Sequence, residues 1–249
     1  MPISTETYNK IKLSIMSCFL LSCFSAYAKQ TDQYVFGLDV GTSATSHLGN
    51  SASFPLGYST FIYKSKSKTH NPVRFGVSMS KNINFSSQNA VQIGISYHDI
   101  TKMGVNGSLE QGISPPFTPF NYNYSINSSQ LLVEAKLLHQ WNKLFYPYLT
   151  GGIGAGFNKA TNYSTNVPNY LTLTPYYSDK SSTSLSYSVG LGINFLKFQP
   201  IAIGLGYRFS DLGQVKLGNG HLRNRLITSQ LGQSHLYLNT FLIELNCYF

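Results

Sequence analysis

The chain has 249 residues, a formal net charge of +9, and only 11% charged residues against 14% aromatic ones. A soluble domain usually carries about a quarter charged residues, so this composition speaks against an ordinary soluble enzyme. No apolar run after residue 28 is long enough for a helical span, which leaves closed strands as the means of crossing a membrane.

The chain begins with Lys10 and Lys12, then the apolar run "LSIMSCFLLSCF", then "AYA" at residues 26–28. That order predicts a secretory signal peptide, residues 1–28, cut after Ala28. Cleavage would remove Cys18 and Cys23 and leave Cys247 alone, so the cysteines predict no disulfide framework. Residues 29–249 are expected to form one domain.

Eight segments of period two follow. Tyr34, Phe36, Leu38 and Val40 share one face of the first; Val73, Phe75, Val77 and Met79 share one face of the second. The third has Val91, Ile93, Ile95 and Tyr97, and the fourth has Leu131, Val133, Ala135 and Leu137. In the fifth, Leu149, Ile153, Ala155 and Phe157 oppose Tyr148, Thr150 and three glycines. The sixth alternates Leu185, Tyr187, Val189, Leu191, Ile193 and Phe195 with Ser, Gly and Asn. The seventh carries Ile201, Ile203, Leu205, Tyr207 and Phe209, and the eighth is "FLIELNCYF" at the C-terminus. Such alternation between turns is the sequence signature of a transmembrane β-barrel.

The connections alternate as well. Residues 41–71, 99–129, 158–183 and 211–234 read as long polar links, and residues 81–89, 139–145 and 196–200 as short ones. This predicts an all-β, closed, antiparallel up-and-down barrel of eight strands, with long extracellular loops and short periplasmic turns, in the outer membrane of a Gram-negative cell. The stretch "GYSTFIYKS" in the first long link either extends the second strand or makes a hairpin outside the membrane, so ten strands is the structural alternative.

Taking the apolar parity as lipid-facing sorts the charges. Asp39, Arg74, Glu134, Lys136, Arg208 and Glu244 all take the opposite parity. A charge facing lipid near the midplane would cost about 2–4 kcal/mol, and these six are expected to form a lumenal ion network. Asp39 should neighbour Arg74, and Arg208 should neighbour Glu244. The lumenal glycines of segments five to seven are read as making room for Tyr and Arg side chains, with a widened lumen as the other reading.

The quoted segments "NFSSQNAVQIGISY", "PYLTGGIGAGFN" and "GLGYRFSDLG", with the aromatic end, resemble the eight-stranded outer-membrane barrels of the OmpA, OmpX and opacity type and barrel surface proteins of intracellular gammaproteobacteria. The resemblance implies a surface antigen, adhesin or envelope-stabilising role. It also implies that Phe249 is a C-terminal signal for the barrel assembly machinery. No domain follows the barrel in this sequence, so the cell-wall anchoring of OmpA is not implied.

Basic loop residues Lys64, Lys66, Lys68, Arg223 and Arg225 are candidates for contact with anionic ligands, either lipopolysaccharide phosphates or host surface glycans. The alternative function is a narrow porin-like channel for small solutes, with a lipid-modifying enzyme at the rim as a third. Ser234, His235, His221, His98, Asp99 and Asp211 are the materials for such a rim enzyme. Adjacent Ser234 and His235 would face opposite sides of a strand and could not form a dyad. No catalytic residue, cofactor, metal site or nucleic-acid partner is expected.

Overall fold

The computed structural model describes residues 33–249 except 46–47, 57–58, 67–70, 113–116, 167–174, 199, 223–224 and 228–229. The expected leader, residues 1–28, therefore lies outside the described residues. The barrel strands are β1 (Gln33–Ala44), β2 (Val73–Asn84), β3 (Asn89–Gly112), β4 (Phe117–His139), β5 (Phe145–Asn166), β6 (Lys180–Phe198), β7 (Ile201–Asp211) and β8 (Tyr237–Tyr248). Each pairs antiparallel with its chain neighbours, and β1 pairs with β8 to close the ring. Closure leaves no unpaired edge in lipid, where each unmet backbone group costs several kcal/mol.

The seam explains the aromatic terminus. Tyr34 N–H donates to Phe249 O and Phe249 N–H donates to Tyr34 O, both at 2.9 Å. The two rings stack with centroids 6.2 Å apart. Short turns close the periplasmic end; in one, the Asn142 side-chain oxygen accepts the N–H groups of Leu144 and Phe145, both at 2.9 Å. A side-chain acceptor of this kind replaces a backbone turn bond.

The lipid face follows the expected parity. Phe75, Met79, Ile93, Ile95, Val133 and Leu149 are exposed on the outer wall, while Arg74, Gln92, Ser96, Thr150 and Glu244 on the opposite parity are buried. Cys247 is disulfide-bonded, whereas the sequence reading leaves it without a cysteine partner once residues 1–28 are removed.

Two of the expected long links are corrected. A membrane crossing needs about 9–11 residues per strand, yet β3, β4 and β5 have 24, 23 and 22. The link expected at 99–129 shrinks to residues 113–116 between paired strands, and β5 continues to Asn166 into the link expected at 158–183. The strands Ala52–Leu56 and Ser59–Ser65 form a hairpin laid along the outer end of β3. The hairpin alternative for this stretch is the one observed, and the ring remains eight-stranded.

Beyond the membrane the polarity of these strands inverts. The β3–β4 register shifts between Ile100 and Met103, which turns the parity by one, so Met103, Val105 and Leu109 now face inward and are buried. A matching irregularity in β5 is held by Asn162, at φ 58°, a conformation that Asn tolerates better than most residues. Tyr122, Tyr124, Ile126 and Tyr163 complete an inward apolar face. Leu212, Val215, Leu217, Leu231 and Leu236, from the segment between β7 and β8, pack onto it. The outer half is thus a small protein core capping the barrel, where a polar link was expected.

Candidate functional site

Three features carry the chemistry: the lumen, the cap above it and the charged outer surface. In the lumen, Asp39 of β1 faces Glu244 of β8 directly across the seam. Like charges in that position repel, and cations flank both. Arg74 Nε lies 3.7 Å from Asp39 Oδ1, and Arg74 Nη1 donates to Ser210 Oγ at 3.1 Å. Lys136 Nζ lies 2.6 Å from Glu244 Oε2 and 4.3 Å above the Tyr148 ring. Arg208 Nη1 donates to Glu134 Oε1, and its Nη2 lies 4.0 Å from Glu244 Oε1.

All six residues expected in the lumen therefore lie in one connected set. The sequence reading placed His98 at the outer rim; the structure puts it at the centre of this set. It is fully buried, 3.4 Å from Asp39 Oδ2 and 3.7 Å from Glu134 Oε1, and it contacts Ser96 Oγ at 3.0 Å. Its even number matches the lumenal parity of Gln92 and Ser96 on the same strand, and that signal could have found it.

The glycines make room for these groups. A Cβ at Gly152 would lie 2.7 Å from Glu134 Cγ, and one at Gly192 would collide with the Tyr148 hydroxyl. Gly37, Ser78, Ser80, Gln92 and Asn246, together with Asp39, Glu134, Lys136, Arg208 and Glu244 of the ion set, line a cavity of about 40 Å³. Toward the outside, Gln130 Nε2 donates to Ser186 Oγ at 2.9 Å, and the Ser43 and Thr240 hydroxyls share a bond of 2.8 Å.

Above this layer sits the cap. Asn158 Nδ2 donates to the carbonyls of Leu212 and Gln214, at 2.7 and 3.0 Å, pinning the stem of the segment between β7 and β8. Gln233 Oε1 accepts Gly49 N–H at 2.8 Å, tying that segment to the link between β1 and β2. The cap is rich in tyrosine. Burial pushes the Tyr122 phenol up to about 12 and those of Tyr63 and Tyr124 higher still, so they stay neutral at any physiological pH.

The loop candidates fare unevenly. Lys64 is exposed and pairs with Glu110 at 2.7 Å; Lys66 Nζ donates to Asn121 Oδ1 at 3.1 Å; Arg225 is exposed. Lys68 and Arg223 lie outside the described residues. Among the rim residues weighed for catalysis, Asp211 and His235 come together, with His235 Nδ1 2.7 Å from Asp211 Oδ2. Strand β8 begins at Tyr237, so the argument that Ser234 and His235 oppose each other on a strand does not apply. Among the described residues no serine or threonine hydroxyl bonds to either side chain of the Asp211–His235 pair.

Eight closed strands with an apolar outer wall, polar lumen, short turns and elaborated outer end define a transmembrane barrel of the Gram-negative outer membrane. The family described as outer membrane protein beta-barrel domain matches residues 16–249, and the chain belongs to it. No curated protein matches the chain. Among solved structures it is similar to the outer membrane protease OmpT from Escherichia coli, with 9% identity, 90% of this chain and 99% of that one covered, and a TM-score of 0.52. It is also similar to OprG from Pseudomonas aeruginosa, with 11% identity, coverage of 88% and 96%, and a TM-score of 0.47. Neisserial surface protein A gives 13% identity, coverage of 87% and 97%, and a TM-score of 0.42. These likenesses concern the fold alone.

Proposed function

We propose that the barrel is a sealed anchor that presents a basic, folded cap to anionic groups, either the phosphates of lipopolysaccharide in its own leaflet or acidic glycans on a host surface. One observation carries the reading. The segments beyond the outer rim, residues 45–72, 101–128, 159–180 and 212–236, hold nine of the eighteen lysines and arginines but only two of the nine acids, Glu110 and Asp179. A surface so unbalanced attracts anions and repels a second copy of itself. The ion pairs that cross the lumen, which leave a cavity of only about 40 Å³, and the apolar cap above them support an anchor over a channel for small solutes. The same reading assigns no catalysis to the rim and takes Phe249 as the residue that the barrel assembly machinery reads.

Retention on immobilised lipopolysaccharide or heparin, eluted with stepped salt, tests it. The wild type should elute at higher salt than the triple variant Lys64→Gln, Lys66→Gln, Arg225→Gln, because exposed charges are screened over about 8 Å at physiological ionic strength. The Lys64 change should contribute least, since Glu110 already offsets that charge. Retention equal in both proteins and insensitive to salt would overturn the reading. In planar bilayers the wild type should give no steady open level; a steady level would favour the channel instead.

A further inference from the structure

One exposed apolar group does not fit either the lipid face or the charge pattern. Among the described residues, the exposed large apolar side chains stand on the outer wall of the barrel or at its periplasmic end, with two exceptions, Tyr176 at 61% and Leu226 at 54% exposure. These two are not scattered. Tyr176–Tyr177, Gly220–Leu222 and Arg225–Ile227 form a three-stranded sheet in the cap, and its register sets His221 opposite both Tyr176 and Leu226. Paired residues on one sheet face have Cβ atoms about 4.5–5.5 Å apart, so Tyr176, exposed His221 and Leu226 make one continuous row.

The opposite face of the same sheet accounts for its rigidity. There Tyr177 and Ile227 are buried in the cap core with Gly220 between them, and a Cβ at Gly220 would lie 2.8 Å from the Tyr177 ring. The outward row is therefore fixed from behind. Singly exposed apolar residues need no explanation, whereas neighbours held on one rigid sheet face offer a shared surface to an apolar group.

Two further features select the occupant. No aspartate or glutamate occurs in residues 212–236, which contain Lys216, Arg223 and Arg225. The neighbouring Asp179 is engaged, accepting Asn162 N–H at 3.0 Å. The basic excess of residues 212–236 makes an acidic partner the complementary one. Strand Arg225–Ile227 is also an edge of the sheet, with no further strand paired to it among the described residues. Such an edge can be extended by a peptide strand through main-chain hydrogen bonds. A sulfated or phosphorylated glycan would use the arginines but gain little from Leu226.

From these we infer that the Tyr176–His221–Leu226 row and the Arg225–Ile227 edge form a docking site for an extended, acidic polypeptide segment that places an apolar side chain on the row and a carboxylate at Arg225. This site is separate from the anion contacts proposed for the cap as a whole. The experiment keeps the two apart.

Detergent-solubilised protein is titrated into a short fluorescein-labelled peptide alternating glutamate with leucine, and binding is followed by anisotropy. Two control peptides replace leucine by serine or glutamate by lysine, and dextran sulfate serves as a pure polyanion. The double variant Tyr176→Ser, Leu226→Ser alters only exposed side chains, and retained heat-modifiability on gels verifies its fold. We expect the double variant to bind the glutamate–leucine peptide about tenfold more weakly, a loss in the range of removed interface anchors, while its retention of dextran sulfate is unchanged. We expect both control peptides to bind weakly. Equal binding by wild type and variant, equal binding of the serine peptide, or absence of peptide binding would each overturn the docking site. None of these outcomes bears on the lysine-dependent retention of polyanions.

Discussion

Replacing Arg208 by Met should lower the temperature at which the barrel loses its folded mobility on gels by more than any single exposed charge change. Arg208 is 3% exposed and its guanidinium serves two carboxylates, Glu134 and Glu244. Met keeps roughly the volume and removes the charge. Glu244 retains Lys136 at 2.6 Å, so the loss falls on Glu134, left with His98 at 3.7 Å and the Ser188 hydroxyl at 3.5 Å. Breaking a buried pair from one side costs about 3–5 kcal/mol, whereas removing both charges is often close to neutral. The double variant Arg208→Met, Glu134→Gln should therefore recover much of the lost stability, and the two losses should not add. By contrast Glu110→Gln breaks an exposed pair, Lys64–Glu110, worth about 0–1 kcal/mol. A urea midpoint of Arg208→Met equal to wild type would mean that the lumenal charges are not coupled.

The inward placement of these charges is legible in the sequence for a physical reason. Hydrocarbon outside the wall penalises a charge so heavily that parity alone sends Asp39, Arg74 and Glu244 to the axis. The same solvent makes the eight crossings readable as alternation. Outside the membrane this constraint vanishes. Along β3 the odd-numbered apolar series Val91, Ile93, Ile95 and Tyr97 is interrupted by the polar Asp99 and Thr101 and resumes as Met103, Val105 and Leu109, a parity that the register shift after Ile100 has turned inward. Polar residues at those two positions read as the end of a strand, and so the upper halves of β3, β4 and β5 read as polar links. His98 was lost for a related reason: Asp99 follows it, and a charge pair at the apparent end of a strand resembles a rim. The Asp211–His235 contact was invisible because it joins an irregular segment to the end of β7, with no period to relate them.

The inversion of polarity also separates the molecule into two energetic layers. Inside the membrane, stability comes from ladder closure and from lumenal polar groups that satisfy one another. In the cap it comes from burial of apolar side chains away from water, as in a soluble protein. Changes in one layer need not be felt equally in the other.

Tyr63→Ala should show that separation, with a large effect confined to the cap. Tyr63 is fully buried and joins three parts of the outer half. Its ring meets Phe54 of its own hairpin with centroids 6.0 Å apart, Tyr122 of β4 edge-on at 5.2 Å, and Tyr177 at 5.9 Å. Its hydroxyl shares a bond of 3.1 Å with that of Tyr163 in β5. Truncating a buried aromatic to Ala costs about 3–5 kcal/mol, and orphaning the Tyr163 hydroxyl adds about 1–3 kcal/mol. The hairpin of Ala52–Leu56 and Ser59–Ser65 and the short strands packed on it cannot absorb that loss, so they should open. Trypsin added to whole cells should then cleave the variant rapidly at Lys64, Lys66 or Lys102, sites on the outer half, while the wild type resists. The barrel itself should keep nearly its wild-type heat-modifiability, because β1 to β8 remain paired below the cap. Tyr63→Phe loses only the hydroxyl bond and should fall between wild type and Tyr63→Ala in cleavage rate. If Tyr63→Ala resists trypsin as the wild type does, the aromatic cluster does not hold the cap. If instead the barrel melts with the cap, the two layers are one cooperative unit, coupled through the Asn158 and Ser186 bonds to residues 211–214.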